Sequence, residues 1–267
     1  MTMTTSRAES PAFDPALNAA RQAVSRFAAL SLLDPQAGAW DQLYALRGDP
    51  TLTAACDWIG ALPEGRPDEL GWGERAPSEL DAGRVLARLP KSRQALNDQY
   101  ERTFGLLVAN ACPPYETEYI DGKLTFRRSN ALADVSGFYR AFGLTTSRLH
   151  RERHDHVVLE LEFMAFLLGL ERQAAGDGDV PRRQLRVAVC RDGQTRFFRE
   201  HLAWWLPAFA KLLRWEGRGR FYEAVGELLA AWVPAERAIL GVPPLARAVA
   251  PSPLERPEAC EGCQLAE

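Results

Sequence analysis

The chain has 267 residues, 46% hydrophobic and 25% charged, enough to bury one sizeable core. A formal net charge of −3 argues against a general nucleic-acid binder, which needs a clustered basic surface. Every apolar run breaks before the roughly 18 residues of a membrane span, and the opening MTMTTSRAESPAFDP lacks the apolar stretch of a secretory signal. The expected location is therefore the cytoplasm, where the five scattered cysteines (Cys56, Cys112, Cys190, Cys260 and Cys263) stay reduced.

The helical period dominates from the start. Asp14-Pro15 is a cap followed by proline at the first helical position, and Leu17, Ala20, Val24 and Phe27 mark one face of a helix over Pro15–Leu33. Shorter helices are expected over Ala37–Arg47 and Leu52–Leu62, with a Gly/Pro-rich loop over Pro63–Pro77. Ser78 is expected to cap a helix carrying Leu80, Leu86 and Leu89, broken at Pro90. Leu96, Tyr100, Phe104 and Leu107 continue as another buried stripe. Ala109–Arg128 reads as irregular, with Asp121-Gly122 as a tight turn. Val135, Phe138, Tyr139 and Phe142 then form a face that stops at Gly143. Asp155–Arg172 is apolar on most of its circumference and is the expected centre of the fold. Ala174–Pro181 reads as a flexible linker. Two further faces follow, Phe198–Leu212 bent by Pro207, and Phe221–Trp232; beyond Pro234 the chain turns Pro-rich. The fold class implied is all-α, a single globular bundle of about nine or ten helices. Residues 1–13 are expected to be a flexible N-terminus, 14–240 the helical domain and 241–267 a mobile tail.

Four motifs carry chemistry. Pro113-Pro114-Tyr115-Glu116 is stiffened by two prolines. It reads either as a rigid inter-helix corner or as a ledge where an aromatic ring and a carboxylate meet a peptide. Glu116, Glu118 and Asp121 are acids of the kind arginine favours, or plain solvated charge. Asp155 could cap the central helix, and His154-Asp155-His156 could instead be the core of an HD-type metal-dependent phosphohydrolase, with His150 at i, i+4 from His154. Glu160 stands i+4 from His156, and Glu162 is expected to pair internally with Arg140 or Arg148. Cys260-x-x-Cys263 is a lone CxxC, either two reduced tail thiols or a metal-handling pair.

The order of these motifs resembles the TorD/DmsD/NarJ family of molybdenum-enzyme chaperones. Tyr100-Glu101-Arg102-Thr103-Phe104, the Pro113-Pro114-Tyr115 corner, Asp155-His156 and Leu161-Glu162-Phe163-Met164 carry the resemblance across roughly Leu17 to Val233. The chain departs from the family pattern by placing Arg153-His154 where a single proline is usual. The resemblance implies a TorD-like helical domain without enzymatic activity or cofactor. It implies a chaperone, monomer or dimer, that binds the twin-arginine leader or apo form of a molybdopterin-dependent catalytic subunit. Leader contact is then expected at Pro114, Tyr115, Glu116, Asp155, His156 and Glu160.

Overall fold

Aspartate caps start helix after helix. Asp14 accepts from the amides of Ala16 and Leu17 and opens α1 (Pro15–Leu32). Asp49 with Pro50 opens α3 (Pro50–Gly60), which follows the short α2 (Ala39–Ala45). Asp81, and not Ser78, caps α4 (Ala82–Ala87); Ser78 lies in a 3₁₀ turn, Pro77–Glu79, before it. Ser92 caps α5 (Arg93–Phe104). The chain continues through α6 (Thr125–Ala141), α7 (Val157–Ala175) and α8 (Val180–Phe197), then a π turn over Phe198–Leu202, α9 (Leu206–Glu216) and α10 (Phe221–Leu240). The computed structural model describes residues 13–62, 70–105, 112–120, 125–145 and 152–244. Among these residues the protein is all-α, as its periodicity predicts, with one isolated β-bridge. None of its described helices is long and apolar enough to cross a membrane.

α7 packs against α1 on one side and α8 on the other, while α10 packs along α9 and touches α1, α4 and α5. The largest fully buried side chains include Trp205, Trp232, Tyr119 and Tyr222. Ring contacts run from Tyr222 to Phe104 (5.2 Å), from Phe209 to Trp205 (5.6 Å) and from Trp205 to Tyr119 (5.1 Å). This aromatic chain couples α5, α9 and α10 to the segment after Pro114 and so fixes where that segment sits.

Two expectations fail and one helix goes unanticipated, for identifiable reasons. Ala174–Pro181 is no linker: α7 runs to Ala175, and α8 starts at Val180 under an Asp179 cap with Pro181 in its first turn. Asp177 in the short connection takes two bonds from Arg182, at 2.7 and 2.8 Å. α8 itself escapes a hydrophobic-face reading because Leu185 and Val189 point to solvent. α10 does not stop at Pro234. Proline lacks the N–H that would bond Ala230, and the Arg75 amide donates to the Ala230 carbonyl instead, at 2.8 Å. The helix therefore continues to Leu240 and ends on Gly241 in the left-handed conformation. Leu107, Asp121-Gly122, Arg148, His150 and the Cys260-x-x-Cys263 pair lie outside the described residues.

Candidate functional site

The Pro-Pro-Tyr-Glu corner and the start of α7 are zipped together through their backbones. The Glu116 amide donates to the Asp155 carbonyl and the Val157 amide to the Pro114 carbonyl, both at 2.9 Å. Tyr115 and His156 form the antiparallel bridge between these bonds. Their rings meet edge to face, with centroids 5.1 Å apart. Buried Tyr119, in the 3₁₀ helix Glu116–Tyr119, donates its hydroxyl to the Pro113 carbonyl at 3.0 Å and locks the corner from below. Pro114, Tyr115, Glu116, Asp155 and His156, far apart in sequence, are thus brought into one constellation.

His156, one residue later than expected, is the N-cap of α7: its Nδ1 accepts from the Val158 amide at 3.2 Å. Burial lowers the pKa of its imidazole. Asp155 is fully buried and is committed to the corner. Its Oδ2 accepts from the Thr117 amide (3.1 Å) and hydroxyl (2.7 Å), and its two oxygens receive the Arg153 guanidinium at 3.1 and 2.8 Å. Tyr115 is half-buried and donates its hydroxyl to Glu152 at 2.9 Å. Burial, then the Glu152 carboxylate, pushes the phenol pKa up to about 12.

Glu116 is not a loop acid facing solvent, since it is only 1% exposed. The Trp204 indole N–H donates to it at 2.8 Å, and His201 Nδ1 stands 3.2 Å from both oxygens. Burial raises its pKa against the opposing pull of His201. Glu160, also buried, accepts one bond at 3.2 Å from the Trp205 indole, and its Oε1 has no hydrogen-bond partner among the described residues. Desolvation first, then the neighbouring Glu116 charge, raises the Glu160 pKa well above the ordinary carboxylate value. Burial therefore favours the protonated form of Glu160 more than it would in an ordinary glutamate. Glu162 is exposed, with Arg26 and not Arg140 as its neighbouring cation.

Thr117, Arg153, His201, Trp204 and Trp205 are members of the cluster that the motif reading did not assign. His201 sits in the π turn before α9, an irregularity enriched at functional positions. The tandem tryptophan in FFREHLAWW was its visible signal. The HD arrangement does not form. His154 turns its ring to Ser136 and Tyr139, Asp155 to Thr117 and Arg153, and His156 to its own helix amide. Among the described residues no group of three or more His, Cys, Asp or Glu side chains is placed to hold a metal ion. The described cysteines, Cys56, Cys112 and Cys190, are free and buried.

An all-helical domain with a Pro-aromatic corner bridged to an Asp-His helix start defines a class of chain. This chain belongs to the nitrate reductase delta subunit family, whose profile matches residues 76–211, and the resemblance to TorD/DmsD/NarJ proteins is borne out. It is 38% identical over 114 residues to the selenate reductase assembly chaperone protein of Thauera selenatis, covering 43% of this chain and 55% of that protein. It is 32% identical over 108 residues to the perchlorate reductase assembly chaperone protein of Dechloromonas aromatica, covering 40% and 46%. A longer match, 27% over 175 residues, joins it to the chaperone protein TorD of Photobacterium profundum, covering 64% and 77%. The matched stretch spans about half the length of the first two relatives.

Proposed function

We propose that the protein is a cytoplasmic chaperone, without catalytic activity, for assembly of a molybdopterin-dependent reductase. It binds the twin-arginine leader of the catalytic subunit before export. The observation that carries this reading is the bridge joining Tyr115 to His156, in a chain similar to proteins named assembly chaperones of selenate and perchlorate reductases. Tyr115 offers a half-buried aromatic ring with a polar tip, its face covered by the Arg153 guanidinium. Pro114, Asp155 and His156 hold that face in place, and Glu116 and Glu160 stand behind it on the two tryptophans. An acidic, aromatic corner suits a basic segment, and covering that segment delays its use until the client has folded.

Calorimetry with a synthetic twin-arginine leader peptide tests the reading. Binding is expected at micromolar or tighter dissociation constants, on the order of −8 kcal/mol or stronger. Tyr115→Ala, or Asp155→Ala combined with His156→Ala, should weaken it, with circular dichroism confirming that the variants stay helical. No binding to such peptides, together with turnover of a phosphoester by the pure protein, would overturn it.

A further inference from the structure

Arg153 is held as a guest would be. Its Nε and Nη2 lie side-on to the two oxygens of Asp155, at 3.1 and 2.8 Å. Nη2 also meets the Thr117 hydroxyl at 2.5 Å, and Nη1 meets Glu118 at 3.2 Å. The guanidinium carbon stands 4.3 Å from the centroid of the Tyr115 ring, a cation–π contact. Two carboxylates, one hydroxyl and an aromatic face match the planar fork and flat face of a guanidinium, and an ammonium could not satisfy them together.

The walls of this receptor do not depend on its occupant. Asp155 is fixed by the Thr117 amide and by the backbone bridge, Glu118 also receives Arg128 at 3.3 Å, and the Tyr115 hydroxyl is tied to Glu152. Arg153 itself is the outermost part, with 42% of its side chain exposed against 0% for Asp155. Departure of Arg153 would leave a preformed acidic cleft lacking one cation, open to solvent on the side where Arg153 lies.

The geometry points to a guanidinium receptor built from Asp155, Thr117, Glu118 and Tyr115, occupied in the free protein by Arg153 and taken over by one arginine of an incoming peptide. For the identity of that peptide the inference rests on the proposed leader-binding reading; the receptor itself does not. Exchanging one guanidinium for another is nearly balanced, so the internal occupant lowers apparent affinity in proportion to the fraction of time it fills the cleft. Arg153 thereby sets a threshold: a peptide must add contacts beyond its arginine in order to displace it.

Two variants of the full chain, Arg153→Ala and Arg153→Gln, test this, the second keeping a donor beside Asp155 should the first fold poorly. N-acetyl-arginine amide is expected to raise the melting temperature of the variants and leave the parent unmoved. The lysine counterpart should move neither. Adding Asp155→Asn to either variant should abolish the response. A twin-arginine peptide should bind the variants about tenfold more tightly than the parent, with no gain for its twin-lysine analogue. Absence of an arginine-specific response in both single variants overturns the receptor. If arginine amide stabilises the variants while the leader peptide binds neither them nor the parent, the client reading falls and the receptor stands. Equal leader affinity for parent and variants sinks the receptor and leaves the client reading intact.

Discussion

The two ends of α7 each bury a glutamate, and the two are treated differently. At the C-terminal end, Glu171 accepts from Arg191 (2.6 Å), Asn18 (2.9 Å) and Gln194 (2.9 Å), so α1, α7 and α8 share one saturated carboxylate. Beside it Arg21 reaches Glu236 through three contacts of 2.7 to 3.1 Å, and Asn18, Arg21, Glu171, Arg191 and Gln194 line a cavity of about 710 Å³ between α1, α8 and α10. At the N-terminal end, about 16 Å away along the helix axis, Glu160 has one indole donor and an oxygen with none among the described residues. A carboxylate whose lone pairs are filled is a staple between helices. A carboxyl left part-filled, its charged form disfavoured by burial, adds little stability, and in this fold it stands directly behind the Tyr115–His156 corner.

Removing a partner at the saturated end should do the most damage. Arg21→Ala strands the buried charge of Glu236 and is expected to cost about 3–5 kcal/mol, read from urea unfolding; a loss below about 1 kcal/mol would break the contrast. Glu171→Ala leaves Asn18 and Gln194 without their shared acceptor and should cost about 2–3 kcal/mol by the same measurement. At the other end the sign reverses. Because the folded-state pKa of Glu160 lies above its ordinary value of 4.5, its contribution is present below about pH 4.5 and is lost as pH rises through the raised pKa. Glu160→Gln removes that loss, so it should stabilise by about 1 kcal/mol at about pH 8 and change little at about pH 4. Equal effects at the two pH values in thermal scans would show that its ionisation is not the cause. A change of similar size is expected at the cap. His156→Ala should cost about 1 kcal/mol, with His156→Asn recovering most of it. The lowered imidazole pKa adds a pH window of opposite sign, since stability from neutral His156 is present above its ordinary 6.5 and is lost as pH falls through the lowered value.

Helix number and the long elements were legible because Asp-Pro caps and apolar faces agree with each other, as in α1, or because the apolar run is long, as in α7. α8 was illegible because its outward face carries Leu185 and Val189 and its buried side is short, leaving no contrast for periodicity to detect. The corner's backbone pairing with Asp155-His156 could not be read from spacing, because an isolated bridge leaves no alternating pattern. Glu116 and Glu160 were legible as chemistry and not as burial. Their desolvation depends on Trp204 and Trp205, which a π turn rotates into place just before α9. Arg153 was visible only as an oddity before Asp155; the way Asp155, Thr117, Glu118 and Tyr115 surround it is a property of the folded corner alone.

One consequence of Pro234 reaches well beyond α10. The carbonyl it leaves vacant on Ala230 is where the strip around Trp72 and Gly73 is moored, through the Arg75 amide, and Gly73 is pressed so closely on the Pro207 carbonyl that a methyl group there would sit 2.6 Å from it. A helix-friendly alanine at 234 would reclaim that oxygen for its own N–H. The helix would gain a rung, and the outer strip would lose one mooring and hang on side chains alone, Arg214 on the Gly73 carbonyl and Arg237 on Glu74.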